Sequence, residues 1–234
     1  MKNFTRIIAS VLALCLMFSV SVSAAGNFGG SMSYASEWNN YTDDYAVNYR
    51  DVPVTHWAYN AIGRVTATGW FGGYPDGSFH PSAQITREEA AKVFAQFLGL
   101  QLTDTVTSSF YDVEATHWSS PYIEATKVLF PGQVNFNGSQ PFRPSMPITR
   151  EDTIYALVIA LGYEGNTRFA DLSVLNMFSD QNSIAANKKP YVAVAVQEGL
   201  VSGHSNGTIG CQDPLTRAEF ATLLYRATYS GSNN

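Results

Sequence analysis

The sequence predicts a mainly α-helical fold built from three helix–loop–helix repeats packed around a shared axis. Three observations predict it. A set of anchors recurs three times at nearly constant spacing, a capping signal opens a helix at the same place in each copy, and apolar residues of helical period follow each signal. The first anchor is an aromatic-x-Asp triplet: Tyr49-Arg50-Asp51, Phe110-Tyr111-Asp112 and Phe178-Ser179-Asp180. The second is a helical stretch ending near Gly, over Trp57 to Gly69, Trp118 to Gly132 and Pro190 to Gly199. The third is a Thr-Arg pair: Thr86-Arg87, Thr149-Arg150 and Thr216-Arg217. The Asp-to-Arg separations are 36, 38 and 37 residues, and repeats of this length identify an architecture before any single motif does.

Each copy reads as helix, turn-rich loop, helix. Pro190 falls in the first turn of its helix, where a missing N–H costs little. In the loop Gly73-Tyr74-Pro75-Asp76-Gly77-Ser78-Phe79, Pro presets φ, Asp bonds locally and Gly accepts a positive φ. Gly203-His204-Ser205-Asn206-Gly207 is its counterpart in the third copy. Thr86 with Glu89 and Thr216 with Glu219 form capping boxes, and Thr149 with Asp152 is a weaker version. Behind them run Ala90, Val93, Phe94 and Phe97; Ile154, Leu157, Val158 and Leu161; and Phe220, Leu223, Leu224 and Ala227. Gly99 and Gly162 stop the first two helices. A lone helix pair cannot bury such a face, so the copies must pack on one another.

The first residues do not belong to this fold. Lys2 and Arg6 precede an apolar run from Ile7 to Val22, and small-x-small patterns follow at Val22-Ser23-Ala24 and Ser23-Ala24-Ala25. That is the layout of a secretory signal peptide over residues 1–24, and the run is shorter than the ~20 apolar residues of a membrane span. Residues 25–48, rich in Asn, Ser, Gly and Tyr, read as a flexible leader. With Cys15 in the signal peptide, Cys211 is the one remaining thiol, so an intramolecular disulfide is excluded and stability must come from packing. Removal of residues 1–24 takes away Lys2 and Arg6 and no acid, leaving 12 cations against 19 anions and a net charge of −7. Such a chain has no general attraction for nucleic acid or an anionic wall, so an anionic partner must be met by a few placed cations.

Taken in order, aromatic-x-Asp-Val, His-Trp, Gly-Tyr-Pro-Asp-Gly-Ser-Phe and Ile-Thr-Arg-Glu-Glu closely resemble the S-layer homology repeat. The resemblance divides the chain into repeats at 49–100, 110–163 and 178–229, the middle one diverging where Phe130-Pro131-Gly132 and Asn135 to Ser139 replace the loop. It implies a pseudo-threefold trimer of repeats within one chain around a central three-helix bundle of the Thr-Arg helices. It further implies inter-repeat grooves that bind secondary cell-wall polysaccharide through a pyruvylated sugar. The location implied is secreted, at the cell wall or cell surface, with no nucleic acid partner, no membrane partner after signal cleavage, no metal and no cofactor.

The candidate polysaccharide-binding residues are Arg87, Arg150, Arg217, Trp57, Trp118, Asp51, Asp112, Asp180, Gly73 and Gly203. Arg87, Arg150 and Arg217 open their helices, where free N–H groups and the dipole favour an anion, and a guanidinium fork matches the carboxylate of a pyruvate ketal. The alternative is that each arginine pairs with Asp51, Asp112 or Asp180 and only fixes the repeat. Trp57 and Trp118 offer flat faces to a sugar or fill the core; the third copy has Asn187 there. Trp70 and Tyr74 line a groove wall or are buried. Gly73 and Gly203 allow close approach of backbone to ligand, or serve the turn. A catalytic reading of Gly203-x-Ser205-x-Gly207 as a nucleophile elbow fails on context, since it follows a helix and Pro75 stands at the serine's place in the first copy. A further reading is a structural module that binds copies of itself or other surface proteins.

Overall fold

The computed structural model describes residues 47–102, 108–131 and 141–229. The expected signal peptide, most of the leader and the divergent loop of the second repeat lie outside these residues. Six α-helices span the described chain: α1 Tyr59–Ala67, α2 Arg87–Phe97, α3 Ser120–Thr126, α4 Arg150–Ala160, α5 Lys189–Gln197 and α6 Arg217–Tyr229. Three short 3₁₀ segments, Tyr163–Phe169, Leu172–Met177 and Gln181–Ser183, lie between α4 and α5. Among the described residues there is no named strand, and no helix is long and apolar enough to cross a membrane. The fold is mainly helical, as the sequence predicts.

Helix starts follow the capping chemistry. The Thr86 side chain accepts from Glu89 N while the Glu89 carboxylate accepts from Thr86 N, a closed capping box. Thr216 and Glu219 make the same exchange, whereas at α4 only the Thr149 side chain takes part, accepting from Asp152 N. The Asp152 carboxylate is held instead by Arg87 and Lys188. The first helices begin later than expected: Trp57 and Trp118 stand before α1 and α3, not within them. Gly99 at φ 60° and Gly162 at φ 80° occupy left-handed positions just beyond α2 and α4.

The segments before α2, α4 and α6 hydrogen-bond to one another in a closed ring. Ile85 N donates to Leu215 O (3.1 Å), Leu215 N to Ile148 O (3.0 Å), and Ile148 N to Ile85 O (3.0 Å). The helix N-termini extend the pattern. Arg87 N donates to Met146 O, Arg150 N to Asp213 O, and Arg217 N to Ala83 O, so orphan first-turn N–H groups are satisfied by the next repeat. First helices pack in the same cyclic order, α1 against α6, α3 against α2 and α5 against α4. Ile85, Ile148 and Leu215 are buried together with Phe79, Phe142 and Ile209 at equivalent places, in one continuous core. Cys211 lies within it, and burial pushes its thiol up to about 12. One helix pair could not make this core, because each apolar face is covered by an element from another copy.

Candidate functional site

The three repeat aspartates do not pair with the repeat arginines. Asp51 accepts from Phe79 N (2.8 Å) and His80 N (2.7 Å), Asp112 from Phe142 N and Arg143 N (2.7 Å each), and Asp180 from Ile209 N and Gly210 N (2.8 Å each). Each carboxylate clamps the chain just after the loop, and the second donor has a left-handed φ: 55° at His80, 60° at Arg143 and 67° at Gly210. Burial works against the charge of Asp51, but the Phe79 and His80 donors outweigh it and hold its carboxyl below the ordinary value. These residues, expected at the polysaccharide face, are engaged with the backbone of their own repeat.

The glycines have a steric reason. A Cβ on Gly203 would lie 2.5 Å from Phe178 Cε1 and 2.8 Å from Thr208 O, and one on Gly73 would collide with Tyr49 and Ser78 O. The loop therefore crosses directly over the aromatic of the aromatic-x-Asp triplet. Between Gly203 and Gly207 the chain makes a turn, with Gly207 N donating to His204 O (3.0 Å) and His204 N to Thr208 O (2.7 Å). Ser205 sits at its exposed tip.

All three arginines are buried at junctions between repeats, and each reaches into the next copy. Arg87 Nε donates to Phe142 O (2.7 Å) and its Nη1 to Asp152 Oδ2 (2.8 Å), with the Phe142 ring 5.0 Å away. Asp152 and Glu151 are both bound by Lys188 Nζ, the latter at 3.0 Å. Arg217 Nε donates to Phe79 O and its Nη2 to Gly72 O (2.8 Å each), Glu89 lies 3.7 Å from Nη1, and the Phe71 and Tyr74 rings lie 4.3 and 4.8 Å from its Cζ.

Arg150 differs. Its Nη2 donates to Ser202 O (2.8 Å), and its buried Nε has no hydrogen-bond partner among the described residues. No carboxylate there lies within ion-pair distance, and Glu219 is turned onto its own cap, accepting from Thr216 N and Oγ1 (2.8 Å each). Burial lowers the Arg150 pKa, Glu219 opposes that shift and Arg226 adds to it. A guanidinium nevertheless stays charged at neutral pH.

Beside Arg150 an open groove of about 240 Å³ is lined by Trp57 of the first repeat, Arg150 of the second, and Gly203, His204, Glu219 and Arg226 of the third. Trp57 is 65% exposed and its ring stacks on His56, so the core alternative does not hold for it, nor for Trp118 at 51%. Trp70 is partly buried, edge-on to Phe97. The groove thus joins three expected residues, Arg150, Trp57 and Gly203, from three repeats. Arg226 was missed by the sequence reading, although it is visible as a basic residue on α6 where α2 has Gln96 and α4 has Ile159. Among the described residues no cluster of His, Cys, Asp or Glu is suited to a metal.

Two segments of the chain match a known family. Residues 48–91 and 178–221 each match the S-layer homology domain family. The chain is similar to a cellulosome-anchoring protein of Acetivibrio thermocellus, 33% identical over 65% of this chain and 31% of that protein. It is similar to S-layer protein EA1 of Bacillus anthracis, 34% identical over 76% of this chain and 20% of that one. An uncharacterized cell wall amidase of Bacillus anthracis is 38% identical over 75% of this chain and 31% of its own length. The chain therefore spans less than a third of each of these relatives. Its first and third repeats carry the signature of the S-layer homology domain.

Proposed function

We propose that this protein attaches non-covalently, and without catalysis, to the bacterial cell wall by binding an acidic secondary polysaccharide in clefts between repeats. The principal site is the groove of Arg150, Arg226 and Trp57. The observation that carries the reading is that groove itself: a guanidinium with no acid at ion-pair distance among the described residues, a second guanidinium beside it and an exposed indole face, set in a protein of negative net charge. The polymer's unit is a sugar bearing a pyruvate ketal, whose carboxylate suits the Arg150 fork while the ring lies on Trp57. A pseudo-threefold arrangement of the three repeats belongs to this reading and is supported by the cyclic hydrogen bonds before α2, α4 and α6. The test is sedimentation of the purified protein with isolated walls before and after extraction of the secondary polymer. Pelleting with native walls and loss of it with extracted walls is the expected result. Equal pelleting with both contradicts the proposal.

A second reading, a protein-binding surface subunit, is favoured by Phe169 and Met177, which are 90% and 69% exposed in the segment between α4 and α5. Light scattering of the protein without walls tests it: concentration-dependent assembly supports this reading, and a constant monomer mass removes self-association.

A further inference from the structure

We infer that this chain holds one anionic glycan unit rather than three, with Arg226 as the second cation that selects the groove. The inference rests on the wall-binding reading above and concerns which cleft does the binding. Ser202 links the two guanidiniums: its carbonyl accepts from Arg150 Nη2 at 2.8 Å and its hydroxyl from Arg226 Nη1 at 3.1 Å. Two cations on one residue at the wall of an open groove present a wider field of N–H donors than a single fork, and each remains charged at any physiological pH. The matching helix positions carry neutral Gln96 and apolar Ile159, so the pairing is peculiar to this groove.

The other two clefts are closed by the protein itself. At Arg87 an incoming carboxylate would have to displace Asp152, whose second oxygen is held by Lys188, which in turn bonds Glu151. A mobile ligand must exceed an internal acid that is already in place and already desolvated, and this makes exchange unfavourable. At Arg217 two carbonyls occupy Nε and Nη2, Glu89 stands near Nη1, and the Tyr74 ring covers the guanidinium while its hydroxyl donates to Glu89 at 3.4 Å. Arg150 alone has one carbonyl bond, an unpartnered Nε and no acid at ion-pair distance among the described residues. Local chemistry, not the shared Thr-Arg motif, decides which copy binds.

The test is isothermal titration of the full chain with short acidic oligosaccharides released from the walls with which it pellets. One oligosaccharide per chain is expected. Arg226→Gln, which installs the first repeat's residue on an exposed side chain, is expected to weaken binding at least tenfold and to lower its salt dependence, measured below the variant's own melting temperature. Lys188→Met, in the Arg87 cleft, is expected to leave affinity for the principal site unaltered. Two or three oligosaccharides per wild-type chain, or undiminished binding by Arg226→Gln, overturns this inference while leaving wall attachment standing. Failure of the wild-type chain to bind these oligosaccharides at all overturns this inference and, with it, the acidic polysaccharide as the wall component recognised.

Discussion

Removing the Asp152 carboxylate tests how the junction between the first and second repeats is held. The side chain is the only acid at ion-pair distance from Arg87 among the described residues, at 2.8 Å, and it also receives Lys188. Solvent exposure of the two partners is 7% for Arg87 and 17% for Asp152, so the pair is screened little by water or salt. Burial already lowers the Arg87 pKa, and Asp152 opposes that shift. In Asp152→Ala the guanidinium keeps one bond to Phe142 O, and Lys188 keeps Glu151. Leaving a buried charge without its partner costs about 3 to 5 kcal/mol. For a unit of this size each kcal/mol lowers Tm by roughly 2 to 4 °C, so the low end of that cost gives a fall of about 6 to 12 °C. Urea and thermal unfolding followed by circular dichroism read both quantities. A loss below about 1 kcal/mol in Asp152→Ala would mean that the pair is effectively solvated. The claim that this cleft is closed by its own ions would then fall.

Three further outcomes follow from local geometry. Gly203→Ala places a methyl 2.5 Å from the Phe178 ring and 2.8 Å from Thr208 O, so overpacking should lower stability by about 1 to 3 kcal/mol in urea titration. Arg143→Gly relieves a non-glycine residue at φ 60°, and a gain of up to about 1 kcal/mol in the same assay is expected. Because the folded-state pKa of Asp51 is depressed, its stabilisation is present above the ordinary carboxylate range and is lost as pH falls through the folded value. Thermal stability should therefore decline on acidification below about pH 4, and Asp51→Asn should flatten that decline.

The caps and the loop turns are legible because each depends on residues close in sequence. Thr86 and Glu89 are three positions apart, and Gly77 takes φ 78° inside its own turn. The apolar faces of α2, α4 and α6 were readable for the same reason. The partners of the arginines were not, since Arg217 bonds Phe79 and Gly72 across more than a hundred residues of chain. The aspartates misled because a conspicuous acid and a conspicuous base in one repeat suggest a pair, whereas the carboxylates take backbone N–H groups that carry no sequence signal. Lys188 was hidden by alignment. It stands where the other copies have Ala58 and Ser119, and only folding brings it to Glu151 and Asp152. Arg226 was open to view but lies outside every repeated motif, so a reading guided by repetition passed over it.

The central claim is that the grip on an acidic glycan comes from the Arg150 groove. The most direct measurement is sedimentation with native walls for Arg87→Lys, Arg150→Lys and Arg217→Lys, each below its own melting temperature. Lysine keeps the charge but not the fork, so it separates recognition geometry from net charge. The account predicts that Arg150→Lys alone releases the protein into the supernatant. Equal retention of all three variants, or release by Arg87→Lys with Arg150→Lys still bound, contradicts it.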